Sequence, residues 1–218
     1  MTKPLTIDVW SDVMCPFCYM GDALLAQALD TFPHKEQVAV RYRSYQLMPG
    51  LPTDSDMNAT EILVKAKGIP RAQAIAMNKQ VEARAAEVGL EYHLDQTRVV
   101  NTRSAQRLSQ FALAEGKQHA FMQRLFRAYF TEGKNVGRYD VLAELAAEIG
   151  LDRARALEVL ESGGFDSEVA ADQSQASAIG IQGVPFFVLD GRYAVSGAQP
   201  VEVFRKALDT AWGARRER

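Results

Sequence analysis

Cysteine and histidine are scarce in this chain, two and three respectively among 218 residues. A framework of several disulfides is therefore excluded. A structural zinc site takes four ligands, and His34, His93, His119 and one cysteine pair show no ligand spacing. No segment is long and apolar enough to span a bilayer. Charge of one sign is lacking too: 25 Lys and Arg against 27 Asp and Glu leave a net charge of −2, no electrostatic footprint for nucleic acid. The basic run Arg215-Arg216-Glu217-Arg218 reads as a solvated helix end. No apolar leader is expected either, because Lys3 runs straight into a strand pattern and Asp8 and Asp12 interrupt it. The expectation is a cytoplasmic chain, in a compartment that keeps thiols reduced. What is present, 47% hydrophobic and 24% charged residues, is the composition of a globular protein able to bury a real core.

Both cysteines fall in one motif, Cys15-Pro16-Phe17-Cys18. Before it, Leu5 to Trp10 alternates as a strand, with Ile7 and Val9 on one face and Thr6 and Asp8 on the other. After it, Leu24, Leu25, Ala28, Leu29 and Phe32 follow helical spacing. A dithiol at a strand-to-helix junction has a physical consequence. The free N–H groups and dipole of a helix start favour a thiolate on the first cysteine, and the thiolate is the reactive species. Cys15 is thus expected to be the solvent-reachable attacking thiol, and Cys18, one turn in, to resolve the mixed disulfide. Two other readings stay open at this point. A permanent disulfide would close so short a loop that it removes little chain entropy. The pair could also be two inert buried thiols.

Val38, Val40 and Tyr42 alternate again, completing a β-α-β unit whose strands should be parallel. Met48-Pro49-Gly50-Leu51-Pro52 then breaks the pattern, and roughly the next hundred residues read as capped helices. Pro70 fits a first helical position, with Ile75, Met77 and Val81 inside and Gly89 past the end. Asn101 reads as the N-cap before Ala105, Leu108 and Phe111, with Gly116 closing that helix. Further stripes follow at Phe121 to Tyr129, Val141 to Ile149, and Ala154 to Leu160. The β signal returns at Val184 to Leu189; Asp190-Gly191 is a type I′ hairpin signal and Tyr193 to Val195 the return strand. Pro200 opens a last helix, with Val203, Phe204 and Leu208 on one face. The order β-α-β, helical block, α-β-β-α is an α/β thioredoxin-like fold with a large all-helical insertion. The expected boundaries are 1–50 and 165–218 for the thioredoxin-like domain and 51–164 for the insertion.

Pro185 stands directly before the late strand, and a proline there cannot donate to a ladder. In thioredoxin folds this proline is cis and faces the dithiol, which turns the polar backbone of the residue before it, here Val184, toward an extended peptide.

These residues together resemble the DsbA family, and more narrowly its FrnE-like branch. The matching stretches are Ser11 to Tyr19, Asn101-Thr102 with Ala105-Gln106-Arg107, Gly180 to Val188, and Ser196-Gly197-Ala198-Gln199-Pro200, spanning nearly the whole chain. The resemblance implies a protein disulfide oxidoreductase with Cys15 as nucleophile, Cys18 as resolving thiol and Pro185 in cis. Pro16, Phe17 and Val184 would contact substrate. It implies no cofactor beyond the redox-active cysteine pair. The expected partners are protein or peptide thiols and disulfides, with glutathione as a candidate electron partner, and neither nucleic acid nor membrane. Two departures matter. Periplasmic relatives carry a histidine before the second cysteine, where Phe17 stands here, so a moderate rather than strongly oxidising couple is expected. Some FrnE relatives carry a second C-terminal cysteine pair, which this chain lacks, so no relay runs through a second internal disulfide.

The alternative activity is a glutathione-dependent isomerase or transferase of the hydroxychromene-carboxylate isomerase and kappa-class type. Those relatives use a serine where Cys15 stands and an aspartate after the last strand. Ala198-Gln199 supplies no such carboxylate. His93 and His119 read as surface or satisfied histidines, and Glu144 with Glu148 as a solvated helix face. Met14, Met20 and Met48 fit either the core or an apolar groove near the dithiol.

Overall fold

A computed structural model describes residues 3–216. Four strands form one sheet in the order β2-β1-β3-β4: β1 (Leu5–Ser11), β2 (Val38–Ser44), β3 (Phe186–Leu189) and β4 (Tyr193–Ser196). β1 runs parallel to β2, from Leu5 opposite Val38 to Ser11 opposite Ser44, and antiparallel to β3, with Ile7 opposite Leu189. Asp190 and Gly191 both take positive φ, 49° and 67°, as a type I′ turn between β3 and β4 requires. The helix α1 (Pro16–Asp30) makes the crossover from β1 to β2, and the segment closes with α8 (Asp166–Ala178), β3, β4 and α9 (Val201–Arg216). This is a thioredoxin-like core.

Side-chain alternation on β1 sorts its two faces. Leu5, Ile7 and Val9 point into the main core with Phe187, Leu189, Phe204 and Leu208, under α1 and α9. Trp10 points the other way, onto Ala176 of α8 and Ile181. Helices therefore cover both faces. Phe187 and Phe204 meet edge to face at 4.8 Å, which ties β3 to α9.

Between β2 and α8 lie six helices: α2 (Ala59–Lys67), α3 (Arg71–Glu87), α4 (Arg103–Ala114), α5 (Gln118–Phe130), α6 (Tyr139–Glu148) and α7 (Arg153–Ser162). Polar clamps hold this insertion to the carboxyl ends of the strands. Gln106 donates its amide to the carbonyls of Ser11 (2.9 Å) and Tyr45 (3.0 Å). Asn101 donates to the Pro49 carbonyl at 2.7 Å, and Arg107 reaches the carbonyls of Val159, Leu160 and Gly164. Gln106 and Arg107 of α4 thus supply donors to backbone carbonyls after β1 and β2 and at the end of α7.

Several sequence expectations shift. α2 has no counterpart among them, although Asn58 and Glu61 form a full capping box at its start. Ile75 and Met77 are 41% and 38% exposed rather than inside, because α3 buries only Ala74 and Ala85 fully. Pro70 sits at the N-cap of α3 and Thr102 at that of α4; Asn101 instead accepts from the Arg103 N–H at 2.8 Å. Val203 is exposed while Phe204 and Leu208 are buried, since adjacent residues on a helix point about 100° apart. In the C-terminal basic run, Arg215 pairs with Asp190 at 3.2 Å; Glu217 and Arg218 lie outside the described residues.

Candidate active site

The dithiol sits where β1 hands over to α1. The Cys15 N–H donates to the Asp12 carbonyl at 3.1 Å, and the Cys18 N–H donates to the Cys15 carbonyl at 3.0 Å. That tight turn makes Cys15 the N-cap of α1, with Pro16 as its first residue. No side chain caps this helix and no acidic residue stands in its first turn. The free amides and positive end of α1 are therefore left to the Cys15 thiol.

From across the sheet edge, the loop before β3 approaches the same sulfur. The Cys15 thiol lies 3.4 Å from the Val184 carbonyl, and the Val184–Pro185 peptide bond is cis. A glycine permits this approach: a Cβ on Gly21 would sit 3.0 Å from Pro185 Cγ and 3.1 Å from Phe187 Cζ. Cys15, Cys18, Val184 and Pro185 are thus brought together from two stretches of chain far apart in sequence.

Burial corrects one expectation. Cys15 is 4% exposed and Cys18 2%, so the first thiol is not open to solvent. The insertion is the reason. The Tyr92 hydroxyl donates to the Pro16 carbonyl at 2.7 Å, and Tyr92 stacks with Phe130 at 4.5 Å, while Tyr19 of α1 stacks with Phe126 of α5 at 5.0 Å. This aromatic layer presses the helical block against the start of α1. Burial, with the adjacent Cys15 sulfur, pushes the Cys18 thiol well above its ordinary 9.0; the Ser11 hydroxyl and the Asp12 N–H pull the other way. Burial also raises Tyr92 and Tyr42 above the usual phenol range. All three are neutral near pH 7.

Pro16 and Phe17 face outward into a cavity of about 310 Å³, together with Met14 and Met48. Its far walls are Ile62 and Leu63 of α2, Met77 and Val81 of α3, and its floor includes Tyr129 and Phe130. Met20 does not join Met14 and Met48 there; it is 2% exposed in the core. The Arg84 guanidinium lies 5.3 Å over the Phe17 ring, a cation at the mouth of an apolar space.

Sequence reasoning passed over Asp12, the buried carboxylate that shapes the turn. It accepts from the Leu47 N–H at 2.7 Å and more weakly from the Met14 N–H at 3.4 Å. Burial raises its carboxyl from the ordinary 3.8 to about 6, against the pull of those amides and of Thr102. The folded state therefore holds this proton more tightly than the unfolded chain. Protonated Asp12 stabilises the fold below 3.8, and that contribution is lost as pH rises through about 6. The loss is expected to be about 3 kcal/mol. Asp12→Asn should flatten the corresponding slope in denaturant midpoints across this window, and an unchanged slope would show that the slope has another source.

The histidines are scattered and occupied. His34 stacks on Trp212 at 4.1 Å, His93 meets Glu91 at 3.1 Å, and His119 lies 3.7 Å from Asp22. Among the described residues no group of three or more His, Cys, Asp or Glu is arranged to hold a metal. Glu148 pairs with Arg124 and Lys134, and Glu144 with Arg153, as exposed helix-face ion pairs.

A family model described as the DSBA-like thioredoxin domain matches residues 6–209. A solved structure from Streptomyces coelicolor, the probable DsbA oxidoreductase SCO1869, is 38% identical with a TM-score of 0.90, covering 96% of this chain and 90% of that one. A Bacillus subtilis (strain 168) relative, described as uncharacterized protein YwbO, is 28% identical over 204 residues, 93% of this chain and 94% of that protein. The cytosolic disulfide reductase DsbM from Pseudomonas aeruginosa, solved with GSH, shares the fold at 20% identity and a TM-score of 0.65, covering 94% of this chain and 98% of that one.

Proposed function

Because this chain belongs to the DSBA-like thioredoxin family and carries the paired cysteines of a thiol–disulfide oxidoreductase, we propose that it exchanges disulfides with protein or peptide partners in the cytoplasm. We assign it to the FrnE-like branch on its Ser196-Gly197-Ala198-Gln199 run. The observation that carries the reading is the Cys15 sulfur, held at the uncapped start of α1 and 3.4 Å from the Val184 carbonyl, with Cys18 one turn behind.

The chemistry follows in two displacements. The Cys15 thiolate attacks one sulfur of a partner disulfide; a Cys15–partner bond forms and the other partner sulfur leaves as a thiolate. Cys18 then loses its proton and attacks Cys15 Sγ. The Cys15–Cys18 bond forms, and the second partner thiolate departs with the electron pair. The partner gains two electrons and the dithiol loses them. Run backwards, the same steps oxidise a partner dithiol. In this reading the Val184 backbone pairs with an extended partner segment and Pro185 holds that backbone in place. Pro16 and Phe17 receive an apolar side chain at the edge of the cavity. Glutathione is the proposed electron partner, supported by the glutathione-bound DsbM structure. Against the isomerase or transferase alternative, Gln199 has no carboxylate and turns its amide onto the Ser196 carbonyl at 2.8 Å.

The test is the redox potential, measured by equilibration in glutathione buffers. A helix start stabilises a neighbouring anion by at most about 2 kcal/mol, and Phe17 adds no hydrogen-bond donor between the two cysteines. Strong oxidants near −120 mV need more stabilisation of the reduced form than this. The expected potential lies between about −180 and −250 mV. Failure to observe a reversible dithiol couple would overturn the function, whereas a value near −120 mV would overturn only the role given to Phe17.

A further inference from the structure

The cavity beside Phe17 is deeper than a single edge contact needs. Its volume, about 310 Å³, is at the low end of the range that encloses a whole small ligand, so it admits a complete leucine or aromatic side chain. Three of the seven methionines, Met14, Met48 and Met77, line it, and Met77 is exposed. Methionine yields to the shape of what it meets, so these walls select for apolar bulk rather than outline. Two polar residues of the lining are engaged within the protein. Asn78 donates its amide to the Thr60 hydroxyl and Thr97 its hydroxyl to the Leu94 carbonyl, each at 2.9 Å. Lys67, at the end of α2, is the one charged residue among those lining the cavity.

A second cation stands on the side of the dithiol. The Arg84 guanidinium lies 5.3 Å over the ring of Phe17, the residue before Cys18. Both cations are exposed, and among the described residues neither has a carboxylate within 4 Å. Two nearby acids are spent on backbone amides: Glu61 accepts from the Asn58 N–H at 3.1 Å and Glu82 from the Leu94 N–H at 2.8 Å. Residues 59–87 carry five Lys and Arg against three Glu, on a chain of net charge −2. An apolar space rimmed by cations without partners is complementary to an anion tied to an apolar group.

We propose that this cavity selects the partner, an inference that rests on the dithiol reading above: it takes segments in which a large apolar side chain and a carboxylate flank the reacting cysteine. The apolar side chain enters between α2, α3 and Phe17, and the carboxylate pairs with Arg84 or Lys67 at the rim. Burial supplies most of the affinity, because both cations are solvated and an exposed ion pair is weak. The charges supply discrimination, attracting acidic segments and repelling basic ones.

The test uses capped pentapeptides whose central cysteine is joined to thionitrobenzoate. Cys15 attacks the peptide sulfur; the Cys15–peptide bond forms and the bond to thionitrobenzoate breaks. That coloured thiolate leaves with the electron pair, and the Cys15 proton passes to solvent. Cys18 then attacks Cys15 Sγ and frees the peptide thiolate. The cysteine is flanked by Leu or Ala on one side and by Glu, Gln or Lys on the other, in both orders. Each release rate is divided by the same peptide's rate with mercaptoethanol, which removes intrinsic reactivity. Replacing Leu by Ala is expected to slow release about tenfold, and replacing Glu by Lys about fivefold at low ionic strength. The charge effect alone should fade in about 0.5 M salt. Arg84→Glu combined with Lys67→Glu is expected to invert the order of the Glu and Lys peptides, a ratio independent of thiol reactivity. Equal rates for Glu, Gln and Lys, equal rates for Leu and Ala, or an order unchanged in the double variant would overturn the proposal. Reduced protein that releases no more reporter than Cys15→Ser would instead overturn the dithiol reading.

Discussion

Cys15→Ser is expected to abolish reduction of a protein disulfide such as insulin, by on the order of a thousandfold or more, while Cys18→Ser still reacts once and stops. The asymmetry comes from position. Cys15 caps α1, where the unclaimed amides converge, and touches the Val184 carbonyl; Cys18 lies inside the first turn, 2% exposed, with its thiol pushed up by burial. A serine hydroxyl at position 15 holds its proton at neutral pH and has no base beside it, so the helix start cannot activate it. In Cys18→Ser the first displacement proceeds, and the resulting mixed disulfide persists because its internal attacker is gone. Mass spectrometry of the quenched reaction should find one partner chain attached at Cys15. Attachment at Cys18, or substantial turnover by Cys15→Ser, would reverse the assignment. The same Cys18→Ser protein, expressed in cells, would retain the physiological partners.

The largest stability effect is expected far from the sulfur, at Asp172. This carboxylate on α8 is 4% exposed and accepts from Arg43 Nη1 (3.1 Å), the Ser44 N–H (2.8 Å) and Gln110 Nε2 (2.6 Å). Its own backbone carbonyl takes the Trp10 indole N–H at 3.1 Å. Four elements, β1, β2, α4 and α8, therefore converge on one residue. Asp172→Ala would leave the Ser44 N–H with no side-chain acceptor and the Arg43 guanidinium with only Asp8, 2.7 Å from its Nε. Breaking a buried charged pair from one side costs about 3–5 kcal/mol. Urea denaturation should show that loss as a lower midpoint at constant slope. Asp172→Asn, which keeps an acceptor, should cost less; a loss under about 1 kcal/mol in the alanine variant would mean the cluster relaxes around water.

The sequence made the core legible because its signals there are local and strong. Ile7 and Val9 alternate against Thr6 and Asp8, and Asp190-Gly191 satisfies a turn that demands positive φ at both positions. The cysteine pair announced its own place at a helix start. Less legible was whatever depends on distant segments meeting. α2 is short and mixes Thr60, Glu61 and Lys65 with its apolar residues, so its periodicity is weak; only the Asn58–Glu61 capping box marks it. Without α2 and α3 in place, the cavity beside Phe17 has no far wall and cannot be inferred. Burial of Cys15 escaped for the same reason, since the aromatic layer from Tyr92 and Phe130 is brought over α1 by tertiary packing. Ile75 and Met77 were misjudged because apolar residues on a helix need a neighbour to bury them, and α3 presents those two to solvent. Asp12 and Ser11 entered only as part of the matching stretch Ser11 to Tyr19, with nothing in the sequence to mark either as buried.

The order of strands has a consequence for how this protein is made. β1 pairs early in the chain with β2, but its other neighbour, β3, ends at Leu189, and the six helices of the insertion lie between them. A ribosome adding about 5–20 residues per second delivers Cys15 and Cys18 on the order of ten seconds before Val184 exists to approach them. For the first part of that interval, until Tyr92 and Phe130 are made, the nascent β1-α1-β2 segment carries both thiols without the aromatic layer that later covers them. The newborn chain is therefore most open to adventitious oxidation or alkylation before it can act.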